Sequence, residues 1–254
     1  MIDREYRASQ RKRRLRMQRI RAAVIFVISV VLIVLIMFVT PLFNIRNISV
    51  SGNLVVSLEQ INACIGDVVG KNLFSTWNST VEKRLKSIAY IEEVEVGKAL
   101  IPPTLYVNIK ECDIAAYFEV DGKQVIINSD LKVLDDSNTF SLDGVPLVRG
   151  IDISNYEVGR YLSSKEGEKI QALTVFLKTM AEVEQLSGVL YFDLTSITDL
   201  KFNYGGTLDV YCGSVLELDK KLRMFKAVMT SGSIKSDAKG TLDLTNPEKA
   251  IHNP

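Results

Sequence analysis

The sequence is poor in the residues on which most catalytic and metal sites depend. It contains one histidine and three cysteines among 254 residues. His252 is the third residue from the end, so a Ser-His-Asp or Cys-His site would have to be built there. Cys64, Cys112 and Cys212 are too few and too widely spaced for a disulfide framework, and we interpret them as buried thiols.

Motifs for metal or nucleotide binding are also missing. No cysteine or histidine cluster has the spacing of zinc ligands, and no glycine-rich loop has a phosphate-binding pattern. The 30 carboxylates leave open an Asp/Glu pair of the kind that glycan hydrolases use, but scattered surface acids explain them better. The sequence therefore predicts a protein that is not an enzyme and that binds no cofactor and no metal.

Net charge is nearly absent as well, at +1, but it is distributed unevenly. The first 23 residues hold nine Lys or Arg against Asp3 and Glu5, which gives +7 there and leaves −6 for the rest. A basic run directly before an apolar stretch is typical of a membrane-flanking segment, and we favour this interpretation over nucleic-acid binding. The side chains predicted to orient the chain in the membrane are Arg11, Lys12, Arg13, Arg14, Arg16, Arg19 and Arg21.

The apolar run after this tail predicts a transmembrane helix. Residues 22–39 are apolar except for Ser29. Extended to residue 43, the run reaches about 33 Å as a helix, enough to cross a hydrocarbon core of about 30 Å. A cleaved signal peptide is the alternative, but Val39-Thr40-Pro41-Leu42 offers no small-residue cleavage site.

The distribution of charge around the span predicts its orientation. The twenty residues after Val39 contain one basic residue, Arg46, whereas the preceding tail is strongly basic. Positive charge stays cytoplasmic, so we predict a cytoplasmic tail at 1–21, a signal anchor at 22–43 and an extracytoplasmic C-terminus, in a single-pass membrane protein.

The seventy residues after the span predict the order strand, helix, helix, strand, strand. Alternating apolar residues indicate the strands, and Ser-x-x-Gln or Ser-x-x-Glu patterns predict the helix starts. Trp77, directly before the second helix, is interpreted as a packed anchor rather than an exposed partner contact. The predicted elements are a strand at 45–50, helices starting at 57–60 and 79–82, and strands at 93–96 and 105–110.

The remaining residues predict a mostly antiparallel sheet that carries two helices. Asp121-Gly122 between two apolar runs predicts a hairpin. Apolar residues at helical spacing predict helices at about 165–186 and 219–230. The predicted strands are 116–120, 124–128, 131–134, 189–194, 200–203, 207–212 and 239–245, before a short tail at 246–254. The fold class is therefore α+β.

This order of parts resembles the FtsQ/DivIB family of bacterial cell-division proteins. FNIRNISVSGN at 43–53 is similar to the opening strand of a POTRA module, and PTLYVNIKE at 103–111 is similar to its last strand. The sequences IINSDLKVL at 126–134, VPLVRG at 145–150 and GTLDL at 240–244 resemble the second domain of the family. Basic tail, anchor and two domains account for nearly the whole chain.

The resemblance implies a non-enzymatic scaffold of the division septum, with a POTRA-like domain at 44–112 and a β domain at 113–254. It implies FtsB/DivIC-like and FtsL-like single-pass membrane proteins as partners, and through them control of septal peptidoglycan synthesis. No small-molecule substrate is expected.

The family's partner-binding edge maps to the segment after the near-terminal strand, where a partner's extended segment adds through backbone hydrogen bonds. Pro247 lies in this segment and removes one donor, which limits the expected strand. The alternative is that Ala250 and Ile251 close the core. The predicted partner-binding residues are Thr245, Asn246, Glu248, Lys249, Ala250 and Ile251.

Two further functions stay open from the sequence. One is a POTRA-bearing secretion or sporulation component. The other is a membrane-anchored cell-wall enzyme, in which the POTRA-like module positions a catalytic domain.

Overall fold

The computed structural model describes residues 2–153, 155–163, 165–232, 234 and 238–254, with side chains from residue 16 onward. The chain forms two compact units. The first unit comprises the residues up to 85 together with 94–109, and the second unit comprises 86–93 together with 110–254. Helices and sheets in both units confirm the α+β class.

The described residues of both units form α-helices and β-strands. Helices are α1 (Ile2–Val39), α2 (Leu58–Ile65), α3 (Asn78–Leu85), α4 (Gly167–Glu182) and α5 (Leu218–Thr230). Strands are β1 (Asn47–Ser51), β2 (Ile91–Leu100), β3 (Pro103–Glu111), β4 (Ala116–Val120), β5 (Lys123–Ile127), β6 (Val133–Asp135), β7 (Leu147–Arg149), β8 (Val189–Asp193), β9 (Leu200–Tyr204), β10 (Leu208–Gly213), β11 (Gly240–Asn246) and β12 (Lys249–Asn253).

Helix α1 contains the predicted apolar span. Within its segment Arg16–Val39, the most apolar stretch of 18 residues has a mean hydropathy of 3.4, and none of that stretch is buried. At about 1.5 Å per residue, these 24 residues reach about 36 Å, which exceeds the thickness of a bilayer core. Within the described residues it is the one helix that is long and apolar enough to cross a membrane.

The first unit has the predicted order of strand, two helices and two strands. Its sheet has the strand order β1-β3-β2, with β1 parallel to β3 and Asn47 opposite Thr104. Gly52 ends β1 at φ +83°, and a Cβ there would lie 2.0 Å from the carbonyl oxygen of Ile109, so only glycine fits the turn. The buried side chains of this unit include Ile45, Ile61, Ile65, Leu73, Val81, Leu85, Leu105 and Val107.

One of the two predicted helix starts in this unit is confirmed and the other is displaced. Ser57 caps α2 in a capping box, with Ser57 Oγ accepting from the Gln60 amide and Gln60 Oε1 accepting from the Ser57 amide. By contrast, α3 begins at Asn78, before the pattern at 79–82. The amides of Thr80 and Val81 bond to the carbonyl of Trp77, so Ser79 already lies inside the helix.

The second unit is a nine-stranded sheet that carries α4 and α5. The strand order is β12-β11-β10-β9-β8-β7-β4-β5-β6, and of these eight neighbouring pairs five are antiparallel and three parallel. Phe176 of α4 contacts the rings of Phe192 and Phe202, and Phe225 of α5 contacts Phe202. Both helices therefore pack on the sheet face that carries Phe192 and Phe202.

Three details of this unit differ from the sequence prediction. Strand β6 begins at Val133 because Leu131 takes a positive φ of 65°, which breaks the extended run. Helix α4 ends at Glu182, since Glu184 has φ 59°, a left-handed conformation that stops a helix. The short strand β7 was not predicted as a strand.

The two serine patterns offer a matched test of helix capping. Ser57→Ala removes the acceptor for the Gln60 amide, so we expect it to destabilise α2 by about 0.5–2 kcal/mol. Ser79→Ala alters an exposed position inside α3, and we expect a change of about 0.5 kcal/mol or less. Hydrogen exchange of the α2 and α3 amides in the full chain measures both. Equal effects of the two substitutions would contradict the assigned helix starts.

Candidate functional site

Strand β12 lies at one edge of the sheet of the second unit. This strand pairs antiparallel with β11, with Ile251 opposite Asp243 and Asn253 opposite Thr241. It is the last strand of the sheet order, and in the described residues β11 is its only strand partner. An edge strand presents a row of unpaired backbone donors and acceptors on its outer side.

The other edge of the sheet is covered. At β6, the Val133 amide donates to the carbonyl of Arg160 and the Gly159 amide donates to the carbonyl of Val133, both at 2.8 Å. A β-bridge between Lys132 and Tyr161 extends this pairing. The segment around 159–162 therefore occupies the β6 side, which leaves β12 as the open edge of the sheet that the structure describes.

A tight turn builds the edge strand from the chain that follows β11. Asn246 and Lys249 face each other across the two residues Pro247 and Glu248, and the Glu248 amide donates to Asn246 Oδ1 at 2.9 Å. Proline is preferred at the second position of such turns, and asparagine at the first. The expected tail at 246–254 is therefore wrong, because Pro247 starts a hairpin instead of interrupting a strand.

Close approach of the two strands depends on Gly240. Its φ is +100°, and a Cβ at this position would lie 2.1 Å from the carbonyl oxygen of Asn253. The backbone of β12 thus reaches the start of β11 only because Gly240 lacks a side chain.

Side chains of β12 alternate between the two faces of the sheet. Ala250 packs against the helix-covered core, whereas Ile251 keeps 43% of its surface exposed on the opposite face. His252 is half-buried, and its Nε2 donates to the carbonyl of Lys239 at 3.0 Å. The alternation means that Ala250 holds the strand to the core and Ile251 remains available for contact.

A row of polar and aromatic side chains continues from Ile251 across the helix-free face. Register places Asp243 of β11, Tyr211 of β10, Lys201 of β9 and Asp193 of β8 side by side in this order. Lys201 Nζ lies 3.6 Å from Asp193 Oδ2, and the Asp193 carboxylate raises the pKa of Lys201. We name these four residues together with Ile251 the open-face row.

The end of this row nearest the edge is ordered by Asp243. Its Oδ1 accepts from the hydroxyl of Thr245 at 2.7 Å and from the Thr245 amide at 2.8 Å. These hydrogen bonds from Thr245 lower the pKa of the Asp243 carboxyl, so the group is ionised near neutral pH. A fixed negative charge therefore lies directly beside Ile251.

A second hydrogen-bonded group holds the central strands together. Asp209 Oδ1 accepts from Tyr191 Oη at 3.2 Å and from Asn203 Nδ2 at 2.8 Å, which links β8, β9 and β10. The guanidinium of Arg149 lies 4.3 Å from the centre of the Tyr191 ring. The face is thus hydrophilic and well ordered, as expected for a surface in contact with water.

The structure divides the predicted partner-binding residues among three elements. Thr245 and Asn246 end β11, Glu248 lies in the turn, and Lys249, Ala250 and Ile251 begin β12. The open edge therefore starts later than predicted and extends through Asn253. Thr245 and Asn246 use their side chains to order Asp243 and the turn. Partner contact by these six residues stays a prediction.

The predicted membrane-orienting residues lie on α1 before the most apolar part of the span. Arg16, Arg19 and Arg21 are exposed. The backbone of 11–14 is helical, and the side chains of Arg11, Lys12, Arg13 and Arg14 lie outside the described part of the structure.

The cysteines and Trp77 compare burial predicted from the local sequence pattern with burial in the structure. Cys112 and Cys212 are buried free thiols as predicted, while Cys64 is half-buried. Burial raises the pKa of the Cys212 thiol to about 12. Trp77 is 74% exposed, so its interpretation as a packed anchor is wrong.

Across the described residues, no three His, Cys, Asp or Glu side chains come together in a possible metal site.

Known proteins resemble this chain over both units. The family model described as POTRA domain, FtsQ-type, matches residues 43–111. A cell division protein DivIB of Clostridium botulinum strain Hall is 27% identical over 237 residues, which cover 92% of this chain and 90% of that protein. A cell division protein DivIB of Staphylococcus aureus is 27% identical over 135 residues, 53% of this chain and 28% of that protein.

Gly240 offers a test of how the edge is held. Gly240→Ala places a methyl group against the Asn253 carbonyl, so we expect β12 to separate from β11 and its amides to lose protection from hydrogen exchange. Gly122→Ala is the control, since Gly122 also has a positive φ but no atom within 4 Å of the place that the methyl carbon would take. Both substitutions carry a backbone cost of about 1–2 kcal/mol, and only Gly240→Ala adds the clash. Unchanged protection of β12 in Gly240→Ala would contradict the close approach.

Proposed function

We propose that this chain, which resembles cell division proteins of the DivIB kind over both of its units, is a membrane-anchored scaffold of the division machinery whose β12 edge receives a partner protein. The partner contributes an extended segment that pairs with β12 as a tenth strand. The single observation that carries this proposal is the open backbone of β12 in a sheet whose opposite edge is covered.

Strand addition fits the chemistry of this edge. Backbone hydrogen bonds supply affinity without any reactive group, and side chains at alternate positions supply specificity. Protective devices on edge strands include prolines and inward charges, whereas here Pro247 lies in the turn and Ile251 is apolar and exposed. Lys249, a charged residue of the kind that protects edges, lies only at the first position of β12, so the edge is open to a partner from Ala250 to Asn253.

The open-face row indicates what the added strand should look like. A side chain placed beside Ile251 lies on the helix-free face, with Ile251 between it and the ionised Asp243. Cross-strand pairs contribute about 0.2–1 kcal/mol each, and opposite charges favour pairing. An apolar residue opposite Ile251 with a basic residue nearby would match this end of the row.

We expect the partner to lie in the membrane that α1 crosses. The basic residues before the span support a cytoplasmic N-terminus, so both folded units lie outside the cytoplasm. Partners of the FtsB/DivIC and FtsL kinds, with one span and an extracytoplasmic coiled coil, present their chain on that side. Through them the protein takes part in the control of septal peptidoglycan synthesis.

A charge placed on the edge tests the binding surface. Ile251→Lys adds a cation that resists burial between two strands, so we expect affinity for the DivIC-type protein of the same organism to fall about tenfold or more. Leu190→Lys is the control, because Leu190 is 55% exposed on β8, four strands from β12. Binding is measured by titration of the full chain in nanodiscs. Equal affinities of the two variants, with equal melting temperatures, would exclude the edge as the interface.

The position of the protein in the cell tests its proposed role in division separately from partner binding. A fluorescent protein fused to the cytoplasmic N-terminus should form a band at midcell that appears with constriction, because division scaffolds assemble there. If a variant carrying Ile251→Lys still forms the band, recruitment to midcell does not depend on partner binding at the β12 edge. A uniform membrane signal at every stage of growth would instead favour the secretion or sporulation alternative.

A further inference from the structure

The first unit exposes large apolar side chains at one end of its sheet. Ile101 is 94% exposed and Leu100 is 49% exposed, at the connection between β2 and β3. Trp77, before α3, is 74% exposed, and Leu42, after α1, is 62% exposed. We name these four residues the anchor-side patch.

Strand direction places the patch at the end where the membrane span leaves the unit. Strand β1 runs parallel to β3, and the Arg46 amide donates to the carbonyl of Pro103 at 2.9 Å. The start of β1 and the start of β3 therefore lie side by side. Since α1 ends at Val39, eight residues before β1 begins at Asn47, the connection at 101–102 lies on the side of the anchor.

Contacts of the loop at 72–76 hold the chain directly before Trp77 at this same end of the unit. Asn72 Nδ2 donates to the carbonyl of Met37, which belongs to the apolar part of α1, at 2.9 Å. The Phe74 ring lies 6.0 Å from the ring of Phe38, again on α1. Two residues further on, the carbonyl of Thr76 accepts from Lys98 Nζ, near the end of β2. The residues shortly before Trp77 thus contact both the span and strand β2 near its end.

We propose that Trp77, Leu100 and Ile101 insert into the interfacial layer of the bilayer that α1 crosses. The first unit then has a second membrane contact besides its anchor. A lipid surface is the occupant because the patch is continuous with the span, which is held in that surface. Tryptophan is enriched at this depth, where an apolar ring and an indole N–H are both satisfied. Arg46 is exposed at the same end and supplies a cation for anionic headgroups.

The opposite end of the unit provides a matched comparison. Leu54 follows β1 at its far end, beyond Gly52, and is 92% exposed. It resembles Ile101 in size and exposure but lies at the end of the sheet away from α1. Its substitution should leave membrane contact unchanged.

Trp77 is the single tryptophan of the chain, so its fluorescence reports on the patch directly. The full chain is reconstituted in vesicles of phosphatidylethanolamine and phosphatidylglycerol, with or without lipids brominated near the top of the acyl chain. We expect Trp77 emission at shorter wavelength than in detergent, strong quenching by the brominated lipids, and weak quenching by aqueous acrylamide. Ile101→Ser should lose most of the lipid quenching, whereas Leu54→Ser should keep it.

Other results would overturn the proposal. If acrylamide quenches Trp77 emission and brominated lipids leave it unaffected, the patch lies in water and is free to bind a protein instead of the membrane. Equal lipid quenching in Ile101→Ser and Leu54→Ser would show that the connection between β2 and β3 does not contact the membrane. Both substitutions change exposed positions, so unaltered melting temperatures show that each variant is folded.

Discussion

Packing of four phenylalanine rings, one each from α4 and α5 and two from the sheet, decides which surfaces of the second unit remain accessible. Phe176, Phe192, Phe202 and Phe225 are all fully buried, and neighbouring rings lie 5.0 to 6.2 Å apart. Each ring contributes a large buried area, and tilted or edge-on pairs add to the stability. Because both helices are held on this face, the opposite face keeps its polar row and β12 keeps its free edge.

Features with a local signal could be predicted from the sequence. The apolar run of α1 and the capping box at Ser57 depend on residues close together in the chain, and both were found where predicted. The displaced start of α3 shows the limit of such signals, since Ser79 matches the pattern but the carbonyl of Trp77 begins the helix. The exposure of Trp77 depends on where the sheet end lies, which no local pattern encodes.

The edge was harder to predict because its parts are distant in sequence. Pro247 is unfavourable inside a strand and favourable in a turn, and only the pairing of Asn246 with Lys249 distinguishes these cases. Strand β7 has three residues and pairs in parallel on both sides, so neither hairpin turns nor alternation reveal it. The open-face row joins residues from five strands, and its order follows from register alone.

The parallel pairing of β10 with β11 has a consequence for biosynthesis. Hairpins form between neighbouring segments, but a parallel pair requires a crossover, which here is α5. The edge strand β12 pairs with β11, so it joins the rest of the sheet through a strand that follows the α5 crossover. During translation the other strands of this sheet emerge first, so a nascent chain that stops before β12 presents β11 as its edge. The order of the elements thus makes β12 the last strand of the described sheet that can pair.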